Sequence, residues 1–257
     1  MSSYEIYIAY MTIVRKEIQR FMRIWVQTLL PPSITMVLYF IIFGNLIGSR
    51  IGQMGGFDYM QFIVPGLIMM SVITNSYGNV VSSFYSTKYQ GSLEEMLVSP
   101  TPNWVILAGY VTGGVARGLA VGAIVTTLSM FFTQLEIYNL GIIVLVVLMT
   151  SILFSLGGFI NAVFANSFDD ISIIPTFVLT PLTYLGGVFY SIDLLPDFWA
   201  SASQLNPILY MVNAFRYGIL GVSDIGVGYA LLVISAFIVG LFSYCMYLLN
   251  TGKGIRK

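Results

Sequence analysis

The chain has 257 residues, of which 57% are apolar and only 9% are charged. An ordinary soluble domain carries about 25% charged residues, so this composition excludes a typical soluble enzyme, a disordered chain and a nucleic-acid-binding surface. There is no histidine and only one cysteine, Cys245. Those counts exclude a zinc site, a histidine-based triad and a disulfide framework. The composition predicts an all-α polytopic membrane protein.

Six apolar windows are long enough to cross the hydrocarbon core, which takes about 20 residues. They cover residues 24–48, 59–85, 105–133, 140–165, 171–190 and 228–250 of a single transmembrane domain, residues 1–257. The basic residues outside the six windows are predicted to divide eight to two between the two sides of the membrane. The eight are Arg15, Lys16, Arg20, Arg23, Lys88, Lys253, Arg256 and Lys257, and the two are Arg50 and Arg216. The positive-inside rule therefore predicts that both termini are cytoplasmic.

The segment before the first span, residues 4–23, has an amphipathic pattern. Apolar side chains such as Tyr7 and Met11 share one helical face, and Lys16, Arg20 and Arg23 share the other. A basic amphipathic helix beside a membrane is expected to lie in the interface. It serves either as a surface anchor or as a docking element for a cytoplasmic partner, and the two roles are compatible. The proline pair at 31–32 predicts a break or kink inside the first apolar run.

The cytoplasmic stretch 86–104 predicts a short helix across a turn. Ser92 and Glu95 have the spacing of a capping box, and Ser99-Pro100 ends the helix. Leu93, Met96 and Leu97 form an apolar side next to two glutamates. That side packs either on the end of its own bundle or against another subunit, and the residues alone leave both open.

The longest external stretch, residues 192–226, is too apolar for a free loop. Prolines divide it into two helical pieces, 197–204 and 208–221. Backbone of this kind at membrane depth must be buried in protein or line a cavity. A re-entrant helix pair satisfies that condition, and a pair of surface helices on the outer face is the alternative.

Four motifs stand in order along nearly the whole chain. They read FIVPGLIMMS at 62–71, GSLEEMLVSP at 91–100, TPLTYLGGVFY at 180–190 and LNPILY at 205–210. In this order and spacing the chain resembles the ABC-2 type transport permeases, the membrane subunits of bacterial ABC exporters. Two further segments, 20–32 and 39–50, are most similar to the small inner-membrane members of that family.

The resemblance implies a role for each segment. The coupling helix that contacts a cytoplasmic P-loop ATPase would comprise Gly91, Ser92, Leu93, Glu94, Glu95, Met96, Leu97, Ser99 and Pro100. A smaller second contact would comprise Phe168, Asp169 and Asp170 in the turn 166–170, and Lys16, Arg20 and Arg23 would belong to the interface helix. The outer end of the path would be closed by residues 192–221. One departure is that Lys88, Tyr89 and Gln90 stand where many relatives place an acidic residue before the glycine.

The working unit implied is two permease chains with two ATPase chains in the inner membrane. No GxxxxGK[ST] motif occurs in this sequence, so ATP and Mg²⁺ would be bound by the partner, and this chain would be a transport subunit without a catalytic residue, cofactor or metal of its own. A self-contained secondary carrier or channel and a non-transporting scaffold remain alternatives. The substrate, whether drug, lipid or glycan, is not readable from the sequence.

Several residues inside the spans are candidates for the path or its gate. Arg117 lies well inside the third span, where a cation costs roughly 2.5–3.5 kcal/mol. It either snorkels to a partner such as Asp169 or Asp170, or lines the path. The other gate candidates are Pro181, Tyr184, Gly186, Gly187, Phe189 and Tyr190. Glycines at 109, 113, 114, 118, 157 and 158 predict close helix packing, within the chain or in a dimer.

Overall fold

The computed structural model describes residues 2–254. Met1 and residues 255–257 lie outside this range, so it does not include two of the basic residues counted for orientation, Arg256 and Lys257. The described residues form twelve α-helices and one small hairpin. In order these are α1 Ser3–Arg23, α2 Trp25–Tyr39, α3 Gly48–Ile51, β1 Gln53–Met54, β2 Phe57–Asp58, α4 Tyr59–Tyr89, α5 Ser92–Val98, α6 Asn103–Ser129, α7 Leu140–Phe164, α8 Asp170–Ile174, α9 Thr180–Tyr184, α10 Asp197–Gln204, α11 Pro207–Leu220 and α12 Val227–Thr251.

Five helices are long and apolar enough to cross a membrane. They are Trp25–Ile51, α4, α6, α7 and α12. The first is continuous because a π-helical segment, Phe40–Ile47, joins α2 to α3. An all-α polytopic fold is therefore confirmed, while the predicted sixth span is not.

The window 171–190 forms a shorter helix than the sequence predicts. A second π-helical segment, Pro175–Leu179, joins α8 to α9, and the helix ends at Tyr184. From Asp170 to Tyr184 it rises only about 22 Å, against a hydrocarbon core of roughly 30 Å. The chain then turns at Gly187, whose φ is +70°.

The first helices break at a different residue from the one that the prolines indicate. The break lies at Ile24, where φ is −110° and ψ is 36°. The Thr28 hydroxyl donates to the carbonyl of Phe21 across this junction, at 3.1 Å. Pro31 and Pro32 lie inside α2, so the predicted break at this pair is wrong. Helix α2 continues through both prolines and packs against α6.

Helix α4 forms the centre of the bundle. Its most apolar window is 78% buried, against 12% for the first candidate span. Glycines let the neighbouring helices approach closely: a Cβ on Gly114 would lie 2.7 Å from Val80, and one on Gly158 would lie 2.6 Å from the Tyr77 carbonyl oxygen. The glycine pattern thus serves packing within the chain, the first of the two predicted roles.

The two helical pieces after the fifth window occur close to their predicted positions. They are α10 and α11, and the Asn206 side chain caps α11 by accepting from the N–H of Ile208 at 3.0 Å. Most of α11 is buried, and it packs on α4, α7 and α12. Helix α11 is thus buried within the protein, whereas most of α10 is exposed.

Candidate functional site

The short helix α5 is set off from α4 by a glycine turn. Gly91 has a φ of +78°, a conformation that a residue with a Cβ rarely adopts. The helix begins at Ser92 itself, and no side chain caps it. The predicted capping box is therefore wrong, because Ser92 is the first helical residue rather than the residue before it. At the other end the backbone becomes extended at Ser99, before Pro100.

Helix α5 buries its apolar side on its own bundle. Leu93 is 2% exposed, and Met96 and Leu97 pack partly buried against the core. This is the first of the two packing alternatives. Glu94 and Glu95 point outward. The exposed side of α5 is therefore acidic.

Exposed apolar side chains lie at both ends of α5. Val98 is 87% exposed and Tyr89, two residues before Gly91, is 70% exposed. The ring of Phe168, half-exposed, lies edge-on to Tyr89 with centroids 5.3 Å apart. The predicted second contact is thus next to the start of α5. We call Tyr89, Glu94, Glu95, Val98 and Phe168 the coupling surface.

The turn that carries Phe168 is fixed by a carboxylate. Asp170 accepts from the backbone N–H groups of Asn166, at 2.9 Å, and Ser167, at 3.2 Å. These hydrogen bonds hold the pKa of Asp170 below its ordinary value. Asp169 is exposed beside it. Asp170 therefore shapes the turn.

Lys88 turns inward at the same end of the bundle. Its ammonium donates to the carbonyl oxygens of Val163 and Ala165 and, at 2.9 Å, to that of Gly254. Cations stabilise the carbonyl end of a helix, here the end of α7. Lys88, which stands where many relatives have an acidic residue, thus links α4 to the end of α7 and to the C-terminal segment at Gly254.

The basic residues of α1 do not all face away from the bundle. Arg20 donates to the backbone and side-chain oxygens of Asn79, both at 2.8 Å, and Lys16 donates to Thr87 at 3.3 Å. Arg23 is exposed. Glu17 is fully buried, and it accepts from the Ser83 hydroxyl at 2.6 Å. Its burial raises the pKa of the Glu17 carboxyl.

Arg117 finds an amide rather than an acid. Its Nη2 donates to Oδ1 of Asn75 at 3.1 Å. Among residues 2–254 no carboxylate pairs with it, since the ion pair present there joins Arg20 to Glu17. The predicted partners Asp169 and Asp170 are therefore wrong. The guanidinium is instead held by Asn75 on α4.

A groove runs beside α4 between α2 and the helix Asp170–Tyr184. Its floor is Met70 and Thr74, where the otherwise buried α4 becomes accessible. One cavity of about 280 Å³ lies toward Pro175 and Thr183, and one of about 250 Å³ lies toward α2. Pro181 is exposed on the adjoining helix.

An aromatic cluster closes one end of that groove. The rings of Tyr184 and Phe189 stack with centroids 5.7 Å apart. Phe43 lies 4.8 Å from Phe189, and the hydroxyls of Tyr39 and Tyr184 are 3.4 Å apart. Two gate candidates thus come together with two aromatic residues of the first span that sequence reasoning missed. Tyr190 makes no ring contact within the described part of the chain.

The turn carrying Phe189 is clamped by Arg216, which sequence reasoning also missed as a site residue. Arg216 is 1% exposed, stacks 3.9 Å over the ring of Phe62, and donates to the Gly187 carbonyl at 2.6 Å. Gly186 lies against Ile208, so α11 packs on the same turn. The available signal was an arginine within the apolar run of α11.

The geometry defines a helical bundle with five helices long and apolar enough to cross a membrane, a groove beside α4, and exposed acidic and apolar side chains around α5. The family model for ABC-2 type transporters matches residues 8–220, and the chain belongs to that family.

Relatives agree with this assignment. The chain is 60% identical to the inner membrane transport permease YadH of Escherichia coli K12 over 251 residues, 98% of each chain. The same identity relates it to YadH of Shigella flexneri. It is 23% identical to nodulation protein J of Rhizobium leguminosarum bv. trifolii over 186 residues, 72% of this chain and 71% of that protein.

Proposed function

We propose that the chain is the membrane permease subunit of an ABC exporter, driven by a separate P-loop ATPase. Family membership, five apolar helices and the relative named as an inner membrane transport permease support this proposal. The subunit would lie in the inner membrane with both termini in the cytoplasm. The ATPase would bind ATP and Mg²⁺.

The observation that carries the proposal is the coupling surface. Its apolar atoms are exposed although its supporting helix is anchored by buried Leu93. Exposed apolar groups rimmed by charge are typical of protein interaction sites. Because Lys88 and Leu93 fix this surface to the bundle, a push on α5 is passed to α4 and α7. A cytoplasmic ATPase cleft is the partner that the family supplies.

The groove beside α4 would be half of the translocation path. It is open on one side, and the adjoining first span is mostly exposed in a single chain. A second copy facing it would close the groove into a path between two subunits. The aromatic cluster and the buried α11 would then form its outer gate, with Arg117 near its inner end.

Co-purification with an ATPase tests the proposal. Val98→Asp and Phe168→Asp should each weaken capture of a co-expressed P-loop ATPase, encoded by a neighbouring gene, by roughly 30-fold, or about 2 kcal/mol. Phe198→Asp is the matched control, because Phe198 lies on α10 and its exposure, 73%, falls between those of Phe168 and Val98. Elution volume in size-exclusion chromatography confirms that each variant is folded.

The outcomes separate the proposal from its alternatives. Equal capture by all variants would show that the coupling surface is assigned wrongly. Energised efflux by the purified chain in proteoliposomes without an ATPase would instead identify a self-contained carrier. None of the five candidate spans contains an aspartate or glutamate, the residues that ion-coupled carriers commonly use within the membrane.

A further inference from the structure

Arg117 is a cation in a membrane helix without a countercharge. Its hydrogen bond from Nη2 goes to the neutral amide of Asn75, and its Nε is buried without a partner among the described residues. A charge in this position is costly unless it is paired. The residue is only half-buried. An anion approaching from outside the chain can therefore reach the guanidinium and supply the missing negative charge.

A second arginine lies next to it. Arg20 binds Asn79, which is one helical turn along α4 from Asn75. The Nε of Arg20 likewise has no hydrogen-bond partner among the described residues, although Glu17 lies 3.6 Å away. Arg20 and Lys16 thus share the Glu17 carboxylate, while Arg117 has no carboxylate partner among the described residues. Burial raises the pKa of that carboxyl. We call Arg20, Asn75, Asn79 and Arg117 the arginine cleft.

The Arg20 side of the cleft lies close to the start of the first candidate span. Arg20 stands five residues before Trp25, where the first candidate span begins, and basic residues at span ends mark the membrane surface. Further along α2 the 250 Å³ cavity begins at Asn75 itself and continues over apolar groups. Its other lining residues are Pro31, Pro32, Thr35, Met36, Met70, Ser71 and Thr74. Pro31 and Met36 are roughly 9 and 17 Å beyond Trp25 along the helix.

We propose that the arginine cleft binds the phosphate of an acidic membrane lipid whose acyl chain lies in the adjoining cavity between α2 and α4. Arginine donors match phosphate oxygens in pairs. The cavity extends the site toward the membrane interior. A soluble anion would occupy only the arginine cleft and leave the apolar cavity empty, whereas a lipid would fill both. This site does not depend on the proposed transport function, because a lipid fits it whether it is cargo or a resident of the permease.

Native mass spectrometry of the purified chain from nanodiscs of phosphatidylcholine and phosphatidylglycerol tests the site. Retention of phosphatidylglycerol should fall about tenfold in Arg117→Gln, which removes a charge-assisted contact. Arg15→Gln is the control, since it removes the same charge from an exposed position on α1. Glu17→Gln should retain at least as much lipid as the wild type, because it removes only the opposing charge.

A second variant keeps the proposal testable if Arg117→Gln fails to fold. Thr74→Phe fills the cavity and leaves both arginines in place, so it should lower retention of long-chain phosphatidylglycerol more than that of the short-chain form. Equal retention in wild type and Arg117→Gln would overturn the proposal. So would an equal loss in Arg15→Gln, which would reduce the effect to surface attraction. Displacement by glycerol phosphate alone, at equal affinity, would assign the cleft to a soluble anion.

Discussion

Two adjacent glycines on α7 offer a direct test of how closely the central helices pack. A Cβ added at Gly158 would lie 2.6 Å from the carbonyl oxygen of Tyr77 and 3.3 Å from the backbone nitrogen of Val81. Both atoms belong to the backbone of α4, so neither can move unless the helix shifts. A Cβ at Gly157 would meet only the Tyr77 ring, at an ordinary 3.8 Å.

The energetic consequence follows from this difference. Either substitution to alanine gains about 0.5–1 kcal/mol from the helix backbone, so that gain cancels between the two variants. Overpacking costs typically about 1–3 kcal/mol, and it applies to Gly158→Ala alone. The free energy of unfolding of Gly158→Ala should therefore be lower than that of Gly157→Ala by about 1–3 kcal/mol, a difference of about 5- to 150-fold in the unfolding equilibrium.

Unfolding by SDS titration in mixed micelles, followed by the fluorescence of the three tryptophans, measures both variants. Gly157→Ala should match or exceed the wild type. If Gly158→Ala proved as stable as Gly157→Ala, α4 and α7 would not be in backbone contact at this point, and the assignment of the glycines to internal packing would fail.

Three further predictions follow from local geometry. Gly91→Ala should lower the free energy of unfolding by about 1 kcal/mol, because the φ of Gly91 is positive. The space around a Cβ there is open, so backbone strain is the whole cost; an unchanged SDS midpoint would contradict this. Arg216→Lys should be less stable than Arg216→Met by about 1–3 kcal/mol, since lysine keeps a buried charge but loses the fork of hydrogen bonds; the reverse order of thermal midpoints would refute the clamp. Glu17→Gln should become more stable relative to the wild type as pH rises above 4.5. The raised pKa means that the folded state holds the Glu17 proton more tightly than the unfolded state, so the stability of the wild type falls as that proton is lost. Parallel pH profiles of the two proteins would refute this.

The long apolar helices were predictable because their signal is carried by composition. The window 140–165 became Leu140–Phe164, and 228–250 became Val227–Thr251. Boundaries set by tertiary packing were not predictable. Ile24 carries no breaking signal, and the π-helical segment Phe40–Ile47 has no local signature, yet both shape the first span.

The candidate site was predictable in outline but not in its pairings. An arginine in a membrane helix suggests a carboxylate partner, because opposite charges are the common solution to its cost. The bundle instead presents Asn75 to Arg117, and a backbone carbonyl, that of Gly187, to Arg216. Neither acceptor is close in sequence to its arginine, and neither carries a charge that sequence reasoning can match.

The proposed coupling depends on α4 being a single rigid element. This helix runs unbroken for 31 residues, Tyr59–Tyr89. Along it lie Phe62 under the Arg216 guanidinium, Thr74 at the groove floor, and Tyr89 next to α5. Close packing on both α6 and α7 leaves it little freedom to bend. Under the proposed function, a displacement at the coupling surface would then move Thr74 at the groove floor and Phe62 under Arg216 together. A hinge would uncouple them. The described helix contains none of the π-helical segments that interrupt the first span and the helix Asp170–Tyr184, although Pro65 removes one of its backbone hydrogen bonds between Phe62 and Thr74.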